Sequence, residues 1–252
     1  MKPRLLHILI LLAFVGSTSA VSQTKVRPAA KPKTPIVKSP EIGKSAVVID
    51  EMLNVLRKEP SLYSEAVHRV SRGRVVVISG VAEADGVKFY KVAVPPKNWG
   101  WIQADAVFGK FRPTDEQRLY ELAKATDGFE KLEIASEFFM LYPNSVLRPK
   151  MLLLYGDGAQ DMTSYLSKQA SSRLRKDEME ASGAPLHSYF LNFNQLDRYR
   201  KLGIIFVFDK KLRQYHYDGV SWNEIIAKFP NSPEYPEAVK RIEKLKLIMQ
   251  GQ

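Results

Sequence analysis

The sequence predicts a multidomain α+β chain, with a small N-terminal β-barrel followed by a mainly α-helical domain that carries one β-hairpin. Three observations predict it. Short β-branched runs separated by turn residues fill residues 46–110. After Pro113 the apolar residues recur with the period of a helix, and residues 113–250 read as a helical domain. Inside that domain the run Ile204 to Phe208, a turn at Asp209-Lys210-Lys211 and the run Gln214 to Tyr217 read as a hairpin near 204–217.

The composition suits such a chain. Of 252 residues, 45% are hydrophobic and 26% charged, which excludes wholesale disorder and a collagen-like fibre. Cys is absent, so disulfides, thiolate metal sites and Cys nucleophiles are all excluded. Residues 1–45 hold eight basic side chains and one acid, so +7 of the net +11 lies there and only +4 on residues 46–252. A nucleic-acid footprint wants Lys and Arg clustered on a folded face, so no nucleic-acid partner is expected.

Lys2 and Arg4 precede an apolar stretch from Leu5 to Val15, and the small residues Gly16 to Ala20 follow. That order is the order of a secretory signal peptide, residues 1–20, cleaved after Ala20 with Thr18 at the −3 position. The mature chain is expected to be exported, periplasmic or extracellular, and to keep no membrane span. Residues 21–45 carry Pro28, Pro32, Pro35 and Pro40 among Lys, Ala, Thr and Ser. Such a segment buries too little surface to offset its chain entropy, and reads as a Pro/Lys-rich linker.

In the barrel region Arg74 to Ile78 and Val87 to Val94 read as strands, joined by an Asp85-Gly86 turn. Gly100-Trp101-Ile102 is a third strand, after a Pro95-Pro96-Lys97-Asn98 break. Leu53-Asn54-Val55, Pro60-Ser61, Val67, Gly73, Val76, Tyr90-Lys91-Val92 and Gly100-Trp101-Ile102 stand in that order. The order resembles the bacterial SH3-like (SH3b) domains of exported proteins, with Leu56 where that family usually has Arg. The resemblance implies a module that recognises cell-wall glycopeptide or a protein partner. Tyr63, Tyr90, Trp99 and Trp101 are the ligand-binding candidates, because aromatic side chains give large contact areas at low entropic cost. The same aromatics also suit a small core. Trp101, inside a strand, leans to packing, while Trp99 beside the turn suits either role.

The helical part opens at Thr114-Asp115-Glu116-Gln117, a capping-box pattern, and its first helix is expected to run to about Ala125. A second helix places Phe129, Leu132, Ala135, Phe138, Phe139 and Tyr142 on one face, and a third passes through Met151, Leu152 and Tyr155. Met162 to Glu180 reads as a further helix, as does Asn194 to Leu202, capped by Asn194 and ended by Gly203. Ser221-Trp222-Asn223-Glu224 is a second capping-box pattern. Phe139-x-x-Tyr142-Pro143-Asn144-Ser145-x-x-x-Pro149 recurs as Ile226-x-x-Phe229-Pro230-Asn231-Ser232-x-x-x-Pro236, offset by 87 residues. Each copy ends one helix at a Pro and offers a Ser to start the next. The aromatic-Pro-Asn-Ser corner resembles that of exported tetratricopeptide (TPR)-like proteins. Its 87-residue offset is far longer than a true array's period, so two helical hairpins in one domain are expected.

The chemistry-bearing residues are sparse. His68, His187 and His216 lack a second ligand at helical spacing, so no metal site and no cofactor are expected. No nucleophile-elbow or phosphate-loop glycine pattern occurs. Tyr215, His216, Tyr217 and Asp218, with Trp222 nearby, form a secondary candidate cluster. Its aromatics suit either a ligand or the hairpin's own apolar face. The expected function is that of a non-enzyme, an exported adaptor of the cell envelope. The alternative is an accessory or cryptic cell-wall hydrolase with a site near the hairpin aromatics.

Overall fold

The computed structural model describes residues 39–94 and 98–250. The signal-like stretch 1–20, the linker up to residue 38 and the Pro95-Pro96-Lys97 break lie outside the described residues. What is described is α+β, with a curled antiparallel sheet followed by helices and one hairpin.

Seven strands build the sheet: β1 (Ser45–Val48), β2 (Val55–Arg57), β3 (Ala66–Arg69), β4 (Val75–Ala84), β5 (Val87–Val94), β6 (Asn98–Gln103) and β7 (Val107–Phe108). Their order is β3-β2-β6-β5-β4-β1-β7, so β3 and β7 are the two edges. Alternation sends Leu56, Val76, Ile78, Tyr90, Val92 and Ile102 to the inner side, where they form one core. The expected strand Arg74 to Ile78 begins at Val75 and runs on to Ala84. It reverses at Asp85 and Gly86, both with positive φ (54° and 72°), as a two-residue hairpin turn requires. Residues 39–45, read from sequence as the end of the linker, pack against the sheet. Gly43 donates to the Ile78 carbonyl (2.7 Å), and the Glu41 carboxylate accepts from Lys88 Nζ (2.9 Å) and Tyr90 Oη (2.7 Å).

The helices are α1 (Asp115–Ala125), α2 (Gly128–Leu141), α3 (Arg148–Arg173), α4 (Lys176–Ser182), α5 (Leu186–Leu191), α6 (Asp197–Lys201), α7 (Val220–Lys228) and α8 (Tyr235–Gln250). The hairpin, β8 (Phe206–Asp209) with β9 (Gln214–Tyr217), lies between α6 and α7. Leu132, Ala135 and Phe138 of α2 are fully buried, each large side chain contributing about 1.5–3 kcal/mol by leaving water. Ile49 and Phe108 from the sheet join this helical core.

Several local expectations are corrected. Thr114 is already helical (φ −80°, ψ −15°) and makes no side-chain cap. Buried Asp115 does not cap the helix either but ties the preceding loop to it, accepting from Gly109 N–H, Arg112 Nε and Arg118 Nη1, each at 2.8 Å. The second capping box fails for a related reason. Gly219 is the cap of α7, Asp218 Oδ1 accepts from Val220 N–H (3.0 Å), and Ser221 falls inside the first turn. The third helix and the expected Met162 to Glu180 helix merge into α3, which stops at Arg173, where Leu174 and Arg175 turn extended before α4. Asn194 opens a short 3-10 turn without capping it, and α6 begins only at Asp197.

The two Pro-Asn-Ser corners share one backbone pattern. Ser145 donates to Tyr142 and Arg148 to Ser145, just as Ser232 donates to Phe229 and Tyr235 to Ser232. Tyr142 and Phe229 leave their helices with nearly equal angles, φ −128°, ψ 62° and φ −130°, ψ 50°. Ser145 Oγ accepts from Leu147 N–H (2.8 Å), whereas Ser232 Oγ is buried without a partner, so the side-chain cap holds in the first copy only.

Candidate functional site

The exposed aromatic surface of the sheet is built by β6, which runs between β2 and β5. Alternation turns Gly100 and Ile102 inward and Trp99 and Trp101 outward. Gly100 is required where it stands, since a Cβ there would lie 2.6 Å from the Arg57 carbonyl oxygen and 2.8 Å from Leu56 Cγ. The Gly-Trp pair therefore brings β6 close to β2 and sets both indoles on the outer face.

The two indoles then diverge. Trp101 is 9% exposed and packs with Phe89, Ala82 and Leu62 as a small second core on the outer side. The register of β4 shifts between Ile78 and Gly80, and the Trp101 indole edge lies in ordinary van der Waals range of Gly80, 3.7 Å from where a Cβ would be. Trp99 is 64% exposed. The strand register places it opposite Ala93 of β5, and Ala93 opposite Val77 of β4, forming one row across three strands. Ala93, Val77 and the neighbouring outward Val75 are exposed as well. Lys91 Nζ stands 5.2 Å from the Trp99 ring centroid, in cation–π contact.

This row offers a flat aromatic face, small aliphatic neighbours and one ammonium group. It can stack on an apolar sugar face or peptide side chain while Lys91 meets a carboxylate. No three His, Asp or Glu side chains lie together to hold a metal among the described residues.

The other candidates stand elsewhere. Tyr63 is exposed on the loop between β2 and β3, and that loop is tied to the far end of the β4–β5 hairpin. Asp85 Oδ2 accepts from Ser61 Oγ (2.7 Å) and Leu62 N–H (2.8 Å). At about 3.3 Å per residue, roughly 20 Å of strand separates that turn from the Ala93 position beside Trp99. Tyr90 is not at the surface. Its ring is fully buried on the inner side, its hydroxyl donates to Glu41, and burial pushes its pKa well up.

The secondary cluster is likewise interior. Tyr215 Oη donates to the Phe190 carbonyl (2.6 Å), and Tyr217 Oη accepts from Ser221 N–H (3.0 Å). Tyr217 and Trp222 meet edge to face at 5.3 Å, and all three aromatics are buried. Burial pushes the Tyr217 hydroxyl up to about 12. His216 is buried too, with neither ring nitrogen hydrogen-bonded, and desolvation pushes its pKa down. The cluster covers the hairpin's own apolar face.

Sequence reading missed Lys91, Ala93 and Val77. The signal was present, since Val75-Val76-Val77-Ile78 and Lys91-Val92-Ala93-Val94 alternate between faces, but alternation alone does not say which face is covered. No protein-family model matches the chain, and no curated protein and no solved structure matches it.

Proposed function

We propose that this chain is an exported, non-catalytic binding protein of the cell envelope. Its sheet is an SH3-like module that recognises cell-wall glycopeptide, and its TPR-like helical domain holds a protein partner. The observation that carries the reading is Trp99, a large indole left 64% exposed beside Lys91 on a row of exposed aliphatic residues. Trp is highly buried on average and is enriched among binding anchors, and an aromatic face beside a cation suits a sugar bearing a carboxylate-rich peptide. The signal-like residues 1–20 support export. The alternative, a hydrolase working at the hairpin aromatics, has no exposed aromatic there to use, since Tyr215, Tyr217 and Trp222 are buried.

The test is sedimentation of the mature protein with purified cell wall. Trp99→Ala should reduce the bound fraction severalfold and leave the melting curve nearly unchanged. Trp101→Ala should lower stability first. Undiminished binding of Trp99→Ala would overturn the reading, and release of cell-wall fragments by the wild type would favour the hydrolase.

A further inference from the structure

The hydrogen-bond phase of the β8–β9 hairpin determines where each backbone amide points. Asp218 N–H donates to the Ile205 carbonyl (3.2 Å), and Phe206 stands opposite Tyr217. Phe206–Tyr217 and Phe208–Tyr215 are therefore the pairs whose own N–H and C=O groups turn away from the partner strand. On β9 the helix α3 answers them. Tyr215 N–H donates to Ser167 Oγ (2.8 Å) and Tyr217 N–H to Gln160 Oε1 (3.0 Å). On β8 the outward amides of Phe206 and Phe208 have no hydrogen-bond partner among the described residues, and no third strand joins the hairpin. The outward amides of β9 are bonded by side chains, whereas those of β8 carry no bond, with Phe190 of α5 stacked on Phe208 at 4.2 Å on the inner face.

An open edge is a template for another strand. Phe206 and Phe208 are buried as whole residues, while Ile205 is 58% exposed and Val207 half-buried, so the outer face of β8 presents aliphatic groups beside the unbonded amides. Charge selects the kind of strand. Residues 197–213 carry six cations (Arg198, Arg200, Lys201, Lys210, Lys211, Arg213) against Asp197 and Asp209. They lie at both ends of β8, on α6 before it and on the hairpin turn after it. Pairing β8 with β8 of a second copy would bring two such clusters together. The chain's own residues 1–45 carry +7 and would be repelled as well.

We infer that β8 is a docking edge for an extended acidic peptide segment of another protein. The segment adds as a third strand to the hairpin, pairs with the free amides of Phe206 and Phe208, and sets its carboxylates against the cations at the two ends. Backbone pairing supplies the geometry and charge the choice of partner. The inference is independent of the reading of Trp99, which lies on a different sheet.

The probe is a blocked, dye-labelled octapeptide of alternating Glu and Val, titrated into the whole mature protein and followed by anisotropy. Amide hydrogen exchange is read in the same samples. Saturable binding is expected, with exchange at Phe206 and Phe208 slowed by roughly tenfold or more as those amides gain partners. The same peptide N-methylated at every amide keeps its charge and should bind at least roughly tenfold more weakly, since it can no longer donate backbone hydrogen bonds to β8. Reversing two exposed cations together, Lys210→Glu with Arg213→Glu, should weaken the unmethylated peptide without changing the fold by circular dichroism. No binding at millimolar peptide would overturn the inference, as would unchanged exchange at Phe206 and Phe208 at saturation. Equal affinity of the methylated peptide would reduce the effect to charge attraction and overturn it too.

Discussion

The guanidinium of Arg72, set in the turn between β3 and β4, lies 2.8 Å from the carboxylate of Glu133 on α2. The Arg72 side chain is only 6% exposed, and it also bonds Glu130 and donates from Nε to the Ile49 carbonyl (2.9 Å). Glu51 accepts from its backbone N–H (3.3 Å), and Glu137 faces the same turn, where a Cβ on Gly73 would lie 2.7 Å from the Glu137 carboxylate. One guanidinium thus pairs with two carboxylates, Glu130 and Glu133, with Glu51 and Glu137 close by, where the sheet meets α2.

Arg72→Met should therefore destabilise the protein. Removing one partner of a buried pair costs 3–5 kcal/mol, but Glu130 and Glu133 keep access to water, so the expected loss is about 2–3 kcal/mol at neutral pH. Urea denaturation at pH 7 measures it. A loss under about 0.5 kcal/mol, the size of an ordinary surface change, would show that the pair does not hold the junction.

The pH response of this junction has a definite sign. Burial raises the pKa values of Glu133 and Glu137 above the ordinary 4.5, and neighbouring carboxylates push the same way against the pull of Arg72. A carboxyl that holds its proton more tightly when folded lowers stability at neutral pH. That penalty fades as pH falls through the folded pKa toward 4.5. Glu137→Gln should raise the melting temperature at pH 7.5 and have little effect near pH 4.5. Glu41 works in the opposite direction, because its bonds to Lys88 and Tyr90 outweigh its burial and lower its pKa. Its stabilisation is present above the ordinary carboxylate value and is lost as pH falls through the lowered one. Melting curves of both Gln variants from pH 8 down to well below the ordinary carboxylate value separate the two contributions, Glu137 on the neutral side and Glu41 on the acid side.

Gly156 lies where α3 meets α7. A Cβ there would stand 2.4 Å from Trp222 Nε1 and 2.5 Å from Ser221 Oγ. Gly→Ala in an exposed helix interior gains up to about 1 kcal/mol, so the sign of Gly156→Ala is diagnostic. Overpacking should win and cost about 1–3 kcal/mol. A more stable variant would mean that α7 can move away freely.

The corner aromatics should rank by burial. Phe138 is fully buried and Phe138→Ala should cost about 3–5 kcal/mol. Tyr142 and Phe229 are half-buried, and each change to Ala should cost about 2 kcal/mol, with the two losses similar because the corners match. Chemical denaturation of the three variants gives the order, and a silent Tyr142→Ala would leave the shared corner without energetic meaning.

Features encoded by neighbouring residues were legible in the sequence. The Asp85-Gly86 turn, the Pro-Asn-Ser corners and the 204–217 hairpin each depend on a few adjacent side chains and backbone angles. The short strands β1, β2, β3 and β7 were not legible as strands, since two to four residues carry too little periodicity to count. Capping misled for a physical reason. Thr114 and Ser221 have the right neighbours, but Thr114 already has helical angles and Ser221 falls inside the first turn after Gly219, so neither has the extended backbone a cap needs.

The same division runs through the candidate site. Sequence by itself determined that Trp101 lies inside a strand with Trp99 two residues before it, beside the turn, whereas the structure begins β6 at Asn98 and so turns both indoles to the same side. Only the tertiary structure decided that Trp99 stays exposed while Trp101 is covered. Phe89, Ala82 and Leu62 come from other parts of the chain to cover Trp101, while nothing among the described residues covers Trp99 to the same degree. Burial is a property of neighbours distant in sequence, and strand pairing brings those neighbours together.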